Sequence, residues 1–188
     1  MPSVSFADVE AASERVADTS VVDRTPMDRS KSLSAMVDAD VRLKMEHLQQ
    51  TGSFKTRGAY NKLVQVAERG DVERVVAASA GNHAQGVALS ATTVGLDSTI
   101  VMPKNAPQAK IDATREYGAT AELHGKDFQA ALAFARSLAD EPGVEFVHAY
   151  DDPDIVAGQG TLGIELAEDV PEMDTVVVPI GGGGLISG

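Results

Sequence analysis

A lysine beside a phenylalanine, a Ser-Ala-Gly-Asn-His turn and a run of four glycines are the residues here whose types and spacing could do chemistry. The first lies in Gly52-Ser53-Phe54-Lys55-Thr56-Arg57-Gly58, at the predicted start of a helix. An ammonium there faces the positive end of the helix dipole, so the position favours a neutral amine. A desolvated, neutral lysine is the type that forms Schiff bases with carbonyl compounds; taken singly, the simpler reading of Lys55 is an exposed first-turn residue. The second stretch is Ala78-Ser79-Ala80-Gly81-Asn82-His83-Ala84-Gln85-Gly86. In a strand-to-helix turn, Ser79, the Gly81 backbone and Asn82 could cradle a small anion or carboxylate, and the plainer alternative is an asparagine N-cap. The third is Gly181-Gly182-Gly183-Gly184, where successive backbone N–H groups can converge on a phosphate. No Gly-Lys-Ser/Thr follows, and Ser187 stands where a dinucleotide fingerprint counted from Gly182 needs its third glycine. Alone, the run is either a phosphate nest or a tight turn.

The elements that must position these residues follow from periodicity. Ser5-Phe6-Ala7-Asp8 has the form of a capping box, and Val9, Ala12, Val16 and Ala17 follow at helical spacing, predicting a helix over about 6–18. Thr25-Pro26-Met27 and the polar run 28–32 break regularity before Val41-Arg42-Leu43-Lys44-Met45 alternates as a strand. A helix is predicted over about 54–69, stopped by Gly70. From there strands at 74–78, 99–102 and 120–123 alternate with helices at 82–94, 107–117 and 127–139, at a period of about 22 residues. That rhythm predicts parallel βαβ units with helices on both sheet faces. Phe146-Val147 reads as a further short strand, 154–168 as a helix, and Thr175-Val176-Val177-Val178-Pro179-Ile180 as a buried strand leading into the glycines. An ending at Leu185-Ile186-Ser187-Gly188, just past a glycine run, leads to the expectation that the chain is a fragment.

Composition narrows the classes. With 28 acidic against 16 basic residues the formal charge is −12, and only 4% of residues are aromatic, which argues against nucleic-acid binding. An apolar fraction of 43% suffices for a packed core. The absence of cysteine excludes disulfides and thiolate nucleophiles, and His47, His83, His124 and His148 fall in no spaced metal motif. Neither a signal peptide nor a membrane-length apolar run is read, so a cytoplasmic protein with no membrane partner is expected.

A Schiff-base lysine, a carboxylate cradle and a phosphate nest in one chain are what a pyridoxal phosphate enzyme acting on an amino acid must supply. In that order, Ser53-Phe54-Lys55-Thr56-Arg57-Gly58-Ala59, the turn 79–88 and Gly181-Gly182-Gly183-Gly184-Leu185 resemble the threonine dehydratase family, within the tryptophan-synthase-β-like, fold type II group of pyridoxal phosphate enzymes. Arg24-Thr25-Pro26, Lys44-Met45-Glu46, Val101-Met102-Pro103 and Gly158-Gln159-Gly160-Thr161 extend the likeness over the chain from Arg24 onward. The resemblance implies an α/β fold of two open, mostly parallel sheets covered by helices. Residues 1–53 would begin a large domain, 54–150 form a small one, and 151–188 return to the large domain, whose C-terminal part would be missing.

By the same resemblance Lys55 would carry pyridoxal 5'-phosphate and act as base on the substrate Cα proton. Phe54 would pack against the cofactor, Asn82 would meet its 3′-oxygen, and Gly181, Gly182, Gly183, Gly184 and Leu185 would bind its phosphate. Ser79, Gly81, Asn82 and His83 would grip the substrate carboxylate, with Gln159 and Thr161 structural. The implied reaction converts L-threonine or L-serine to 2-oxobutanoate or pyruvate and ammonia, in amino-acid metabolism that includes isoleucine biosynthesis, by a homo-oligomer when full length. Eukaryotic-type serine racemases carry a second serine where Ala80 stands, and cysteine-synthase-like relatives a threonine where His83 stands, so racemisation and β-replacement are disfavoured. The alternatives are a serine racemase or hydroxyaspartate dehydratase on the same scaffold, a non-catalytic cofactor-binding fragment, and a nucleotide-binding domain, against which Ser187 counts.

Overall fold

The computed structural model describes residues 4–17 and 19–188. Helix α1 spans Phe6–Ala17, and Asp18, where the sequence expectation ended, lies outside the described residues. The capping box forms as expected: the Ser5 N–H donates to Asp8 Oδ2 (2.8 Å), while the Asp8 N–H donates to Ser5 Oγ (3.4 Å). Strands β1 (Met27–Arg29) and β2 (Arg42–Lys44) pair antiparallel around helix α2 (Lys31–Val37). Periodicity gave no sign of α2, because none of its residues is buried; a Ser30 cap and a left-handed Asp38 delimit it instead. A 3-10 turn at Glu46–Leu48 leads towards α3 (Lys55–Arg69), which ends at a left-handed Gly70.

The predicted alternation then appears: β3 (Arg74–Ala78), α4 (Asn82–Val94), β4 (Asp97–Met102), α5 (Gln108–Glu116), β5 (Thr120–Leu123), α6 (Phe128–Leu138) and β6 (Val144–Phe146). The four strands form one parallel sheet in the order β5-β4-β3-β6. Side chains of β3 alternate between two cores, as period two requires. Val75 and Ala77 join Leu63 of α3 and Val87 of α4 on one face, while Val76 and Ala78 meet Ala131 and Ala135 of α6 on the other. Full burial of each valine contributes about 1.5–3 kcal/mol, and the many alanines let the helices lie close to the sheet.

Helix α7 (Pro153–Asp169) starts at Asp152, whose Oδ1 accepts from the Asp154 and Ile155 N–H groups, with proline in the first turn. It crosses α3 backbone to backbone: a Cβ built on Gly158 would stand 2.6 Å from Gly58 Cα. A short helix, α8 (Gly184–Ser187), follows the glycine run.

The expected buried strand at 175–180 is not formed. These residues carry no strand structure, and Val177 is 90% exposed. A valine-rich run satisfies its backbone as a strand only against a neighbouring ladder, and the described residues supply none there. They hold one parallel sheet and the β1–β2 pair. No helix among the described residues is long and apolar enough to cross a membrane.

Candidate active site

The crossover from β3 runs through α4 to β4 on one side, whereas β6 lies on the other side of β3. The loops leaving the C-terminal ends of β3 and β6 therefore part from each other, which is where parallel sheets open a crevice. One loop is 79–81 and the other is 147–152.

Lys55 is the first residue of α3, with Phe54 as an N-cap that offers no side-chain hydrogen bond. The Lys55 N–H donates to Ser53 Oγ at 3.4 Å. Its Nζ reaches across to donate to the carbonyl of Ala149, 2.7 Å away, and lies 5.2 Å from the centre of the Phe54 ring. Lys55 is half-buried, and among the described residues no carboxylate makes an ion pair with it. Burial without a counter-charge lowers the amine's pKa from its ordinary value. Helix α4 closes against this point, since a Cβ on Gly86 would lie 3.2 Å from Lys55 C and O.

The cap of α4 is Gly81, not Asn82, and it brings no side-chain hydrogen bond to the helix. Asn82 is the exposed first helical residue, and Ser79 Oγ accepts from the Gly81 N–H at 3.1 Å. The N-terminus of α4 is thus left open, unlike those of α6 and α7, which Asp127 and Asp152 close. His83 is buried, its Nε2 3.2 Å from the Val147 carbonyl and its Nδ1 without a hydrogen-bond partner. Burial pushes its pKa down to about 4, so the ring is neutral at pH 7; with Nε2 the donor to that carbonyl, Nδ1 is an unused acceptor. Ala80 is half-buried and packs against the main core cluster.

The glycine run stands against Tyr150. A side chain at Gly182 would run into the Tyr150 ring, and one at Gly184 would lie 2.9 Å from Tyr150 Cβ. Gly183 has φ +90°, a left-handed conformation that L residues resist, whereas Gly181 has open space around it. Leu185 is half-buried in α8. The segment 147–150 is consequently where the three motifs meet: Val147 takes His83, Ala149 takes Lys55, and Tyr150 underlies the glycines.

Sequence reasoning missed Tyr150 and gave no role to Arg57. Arg57 is fully buried on α3. Its Nε and Nη2 donate to the two Glu46 oxygens (2.9 and 2.8 Å), and its Nη1 donates to Glu165 Oε1 of α7 (2.6 Å). Burial pulls the guanidinium pKa down, and Glu46 and Glu165 outweigh it, holding it above its ordinary range. Lys44 extends the network to Glu165 and Asp169, at 2.7 and 2.9 Å. Gln159 and Thr161, expected to be structural, serve packing: Gln159 Oε1 accepts from the Gly58 N–H, and Thr161 Oγ1 accepts from Arg57 Nη1. Among the described residues no group of three His, Asp or Glu is placed to hold a metal ion.

Against this geometry, the family described as pyridoxal-phosphate dependent enzyme matches residues 19–188. The chain belongs to that family. Pyridoxal phosphate is the cofactor on which the family depends, and its fold type II members share the α/β arrangement found here. The chain is 52% identical over 168 residues to the L-threonine ammonia-lyase of Thermotoga maritima, an alignment covering 89% of this chain and 42% of that protein. To the L-threonine dehydratase catabolic TdcB of Staphylococcus aureus it is 48% identical over 186 residues, 98% of this chain and 53% of that one. The structure of maize serine racemase superposes with a TM-score of 0.92 at 36% identity, over 98% of this chain and 55% of that one. The chain thus spans about half the length of the curated relatives it matches.

Proposed function

We propose that this chain carries the cofactor-anchoring part of a lyase that dehydrates and deaminates L-threonine and L-serine, giving 2-oxobutanoate or pyruvate and ammonia. The observation that carries the reading is the Lys55 amine: half-buried, unpaired with any carboxylate among the described residues, and hydrogen-bonded to the Ala149 carbonyl beside the glycine run. Identity of 52% to a threonine ammonia-lyase supports the choice of reaction.

The residues fit pyridoxal phosphate. A lowered amine pKa suits attack on an aldehyde, and at exposed Gly182 and buried Gly184 alike a side chain would meet Tyr150, so the run stays bare backbone there. Bound there, the cofactor supplies a conjugated electron sink for charge developing at the substrate Cα. Lys55 would anchor it and then accept the substrate Cα proton at Nζ. Phe54 would form an apolar wall beside it, Asn82 would donate to the ring's 3′-oxygen, and the backbone of Gly181, Gly182, Gly183, Gly184 and Leu185 would hold the phosphate. Ser79, Gly81, Asn82 and His83, at the uncapped start of α4, hold the substrate carboxylate. Loss of the β-hydroxyl as water, and return of water as ammonia leaves, balances the reaction.

Ala80 packs into the core and has no proton to give, so proton return to the opposite face, which racemisation needs, lacks a donor there. Racemisation remains the second reading because of the likeness to maize serine racemase, and chiral analysis of recovered serine separates the two. The proposal includes the division into 1–53, 54–150 and 151–188, a homo-oligomer, a cytoplasmic location and a metabolic role that includes isoleucine biosynthesis.

The test is borohydride reduction of the protein with pyridoxal 5'-phosphate, followed by peptide mass mapping, on this chain and on a form extended past Gly188. A reduced adduct on Lys55, together with 2-oxobutanoate release from threonine by the extended form, is expected. Absence of the adduct on both forms overturns the reading.

A further inference from the structure

Hydrogen bonding fixes the glycine loop weakly on its upstream side. Among the described residues no backbone hydrogen bond ties Gly181 or Gly182, and residues 179–182 are exposed. Downstream the chain is pinned, because α8 is anchored where Gly188 meets Gly160 of α7: a Cβ on Gly160 would lie 2.8 Å from the Gly188 carbonyl oxygen. What the glycine run does meet is Tyr150: its ring at Gly182 on the upstream side, and its backbone and Cβ at Gly184, where α8 begins. Tyr150 itself is held rigidly. Its N–H and that of Asp151 both point at His148 Nδ1, at 3.4 and 2.7 Å, and the His148 and Tyr150 rings meet edge to face with centroids 4.6 Å apart. Tyr150 is nonetheless 42% exposed, so it is not an ordinary core aromatic.

We propose that Tyr150 is a positioning residue for the cofactor: its ring is the platform that sets the height of the glycine loop and so the loop's grip on a phosphate group. Two of the four glycines are then required by the tyrosine as much as by the phosphate, since a Cβ at either would strike it. The neighbouring residue, Ala149, accepts from Lys55, so one rigid turn sets the spacing between the amine and the phosphate nest. The inference rests on the reading that this loop holds the cofactor's phosphate.

The experiment compares pyridoxal 5'-phosphate with pyridoxal, which keeps the aldehyde and lacks the phosphate. Both are titrated by absorbance and borohydride trapping into wild type, Tyr150→Phe, Tyr150→Ala and Tyr150→Leu, in whichever form gives the wild-type adduct. Apo thermal midpoints are recorded in parallel. Wild type should prefer the phosphorylated compound. Tyr150→Ala should lose affinity for it by about tenfold or more, the scale of one charge-assisted hydrogen bond, while pyridoxal binding changes little. Tyr150→Phe should behave as wild type, and Tyr150→Leu serves should the alanine variant fail to fold. Gly182→Ala should cause the same phosphate-specific loss, and most of that loss should vanish in the Tyr150→Ala background, where the ring is gone. Unchanged affinity in both Tyr150→Ala and Tyr150→Leu overturns the proposal, as does an equal loss for both ligands. A wild type that forms no adduct overturns the cofactor reading itself.

Discussion

Acid should unfold this protein through one buried histidine. His83 is 4% exposed, hydrogen-bonds through one ring nitrogen, and has its pKa pushed down by burial to about 4, against 6.5 for an ordinary histidine. The unfolded chain therefore binds a proton that the folded chain refuses between those two values, and stability falls as pH is lowered through that window. The linkage relation gives a loss of about 2 kcal/mol at pH 5 and about 3 kcal/mol at pH 4, with little further loss from this residue below. Burial is the largest cause of the lowered pKa, and repulsion from Lys55 and His148 is a smaller one. The assay is urea unfolding at pH 7.5, 6, 5 and 4 for wild type and His83→Gln, which keeps a donor within reach of Val147 and has no proton to gain. The difference between the two midpoint curves isolates His83 from the carboxylates that titrate over the same range. Wild type should lose about 2 kcal/mol more than the variant between pH 7.5 and 5. Parallel curves, or an NMR titration of His83 near its ordinary pKa in the folded protein, would refute the reasoning.

Three further outcomes follow from the geometry. Arg57→Ala strands Glu46 and Glu165 without their buried partner and should cost about 3–5 kcal/mol in urea unfolding, whereas Arg57→Met combined with Glu46→Gln should cost less; a loss under about 1 kcal/mol for Arg57→Ala would refute the network's importance. Gly86→Ala pushes a methyl against the Lys55 backbone, 3.2 Å away, so it should destabilise by about 1–3 kcal/mol and slow adduct formation on Lys55, and a variant normal in both counts against that contact. Because burial lowers the Lys55 pKa, the pH profile of its reaction with pyridoxal 5'-phosphate should reach half-maximum at lower pH than that of N-acetyl-lysine; coincident profiles would refute it.

Much of the fold was legible because glycine ends what apolar periodicity begins. The predicted stops of α3 at Gly70 and of α4 at Gly95 coincide with left-handed glycines, and β3 falls on the residues whose apolar run marked it. Helix α2 escaped because it buries nothing, leaving Met36 79% exposed and its sequence without a face to read. Residues 175–180 misled for the opposite reason: valine content signals what a segment can pair as, and pairing needs a ladder that lies elsewhere in the chain or nowhere in it. In the site, Lys55 and the glycines stood out because their types are unusual for their places. Tyr150 did not, since an aromatic residue after a short strand has no spacing that marks it; only its contact with Gly182 gives it meaning. Arg57 carried a fainter signal, a charged residue in the half of α3 that is buried on almost every side.

The seam between α3 and α7 has a mechanical consequence. Helices that meet through long side chains can slide, because rotamers give way, but Gly58 and Gly158 put backbone on backbone with nothing compliant between. The two helices therefore move as one beam, with Lys55 less than one turn from the weld. Any breathing of the crevice must be taken up by the softer, mostly exposed span 170–183, while the reactive amine keeps its place relative to α7.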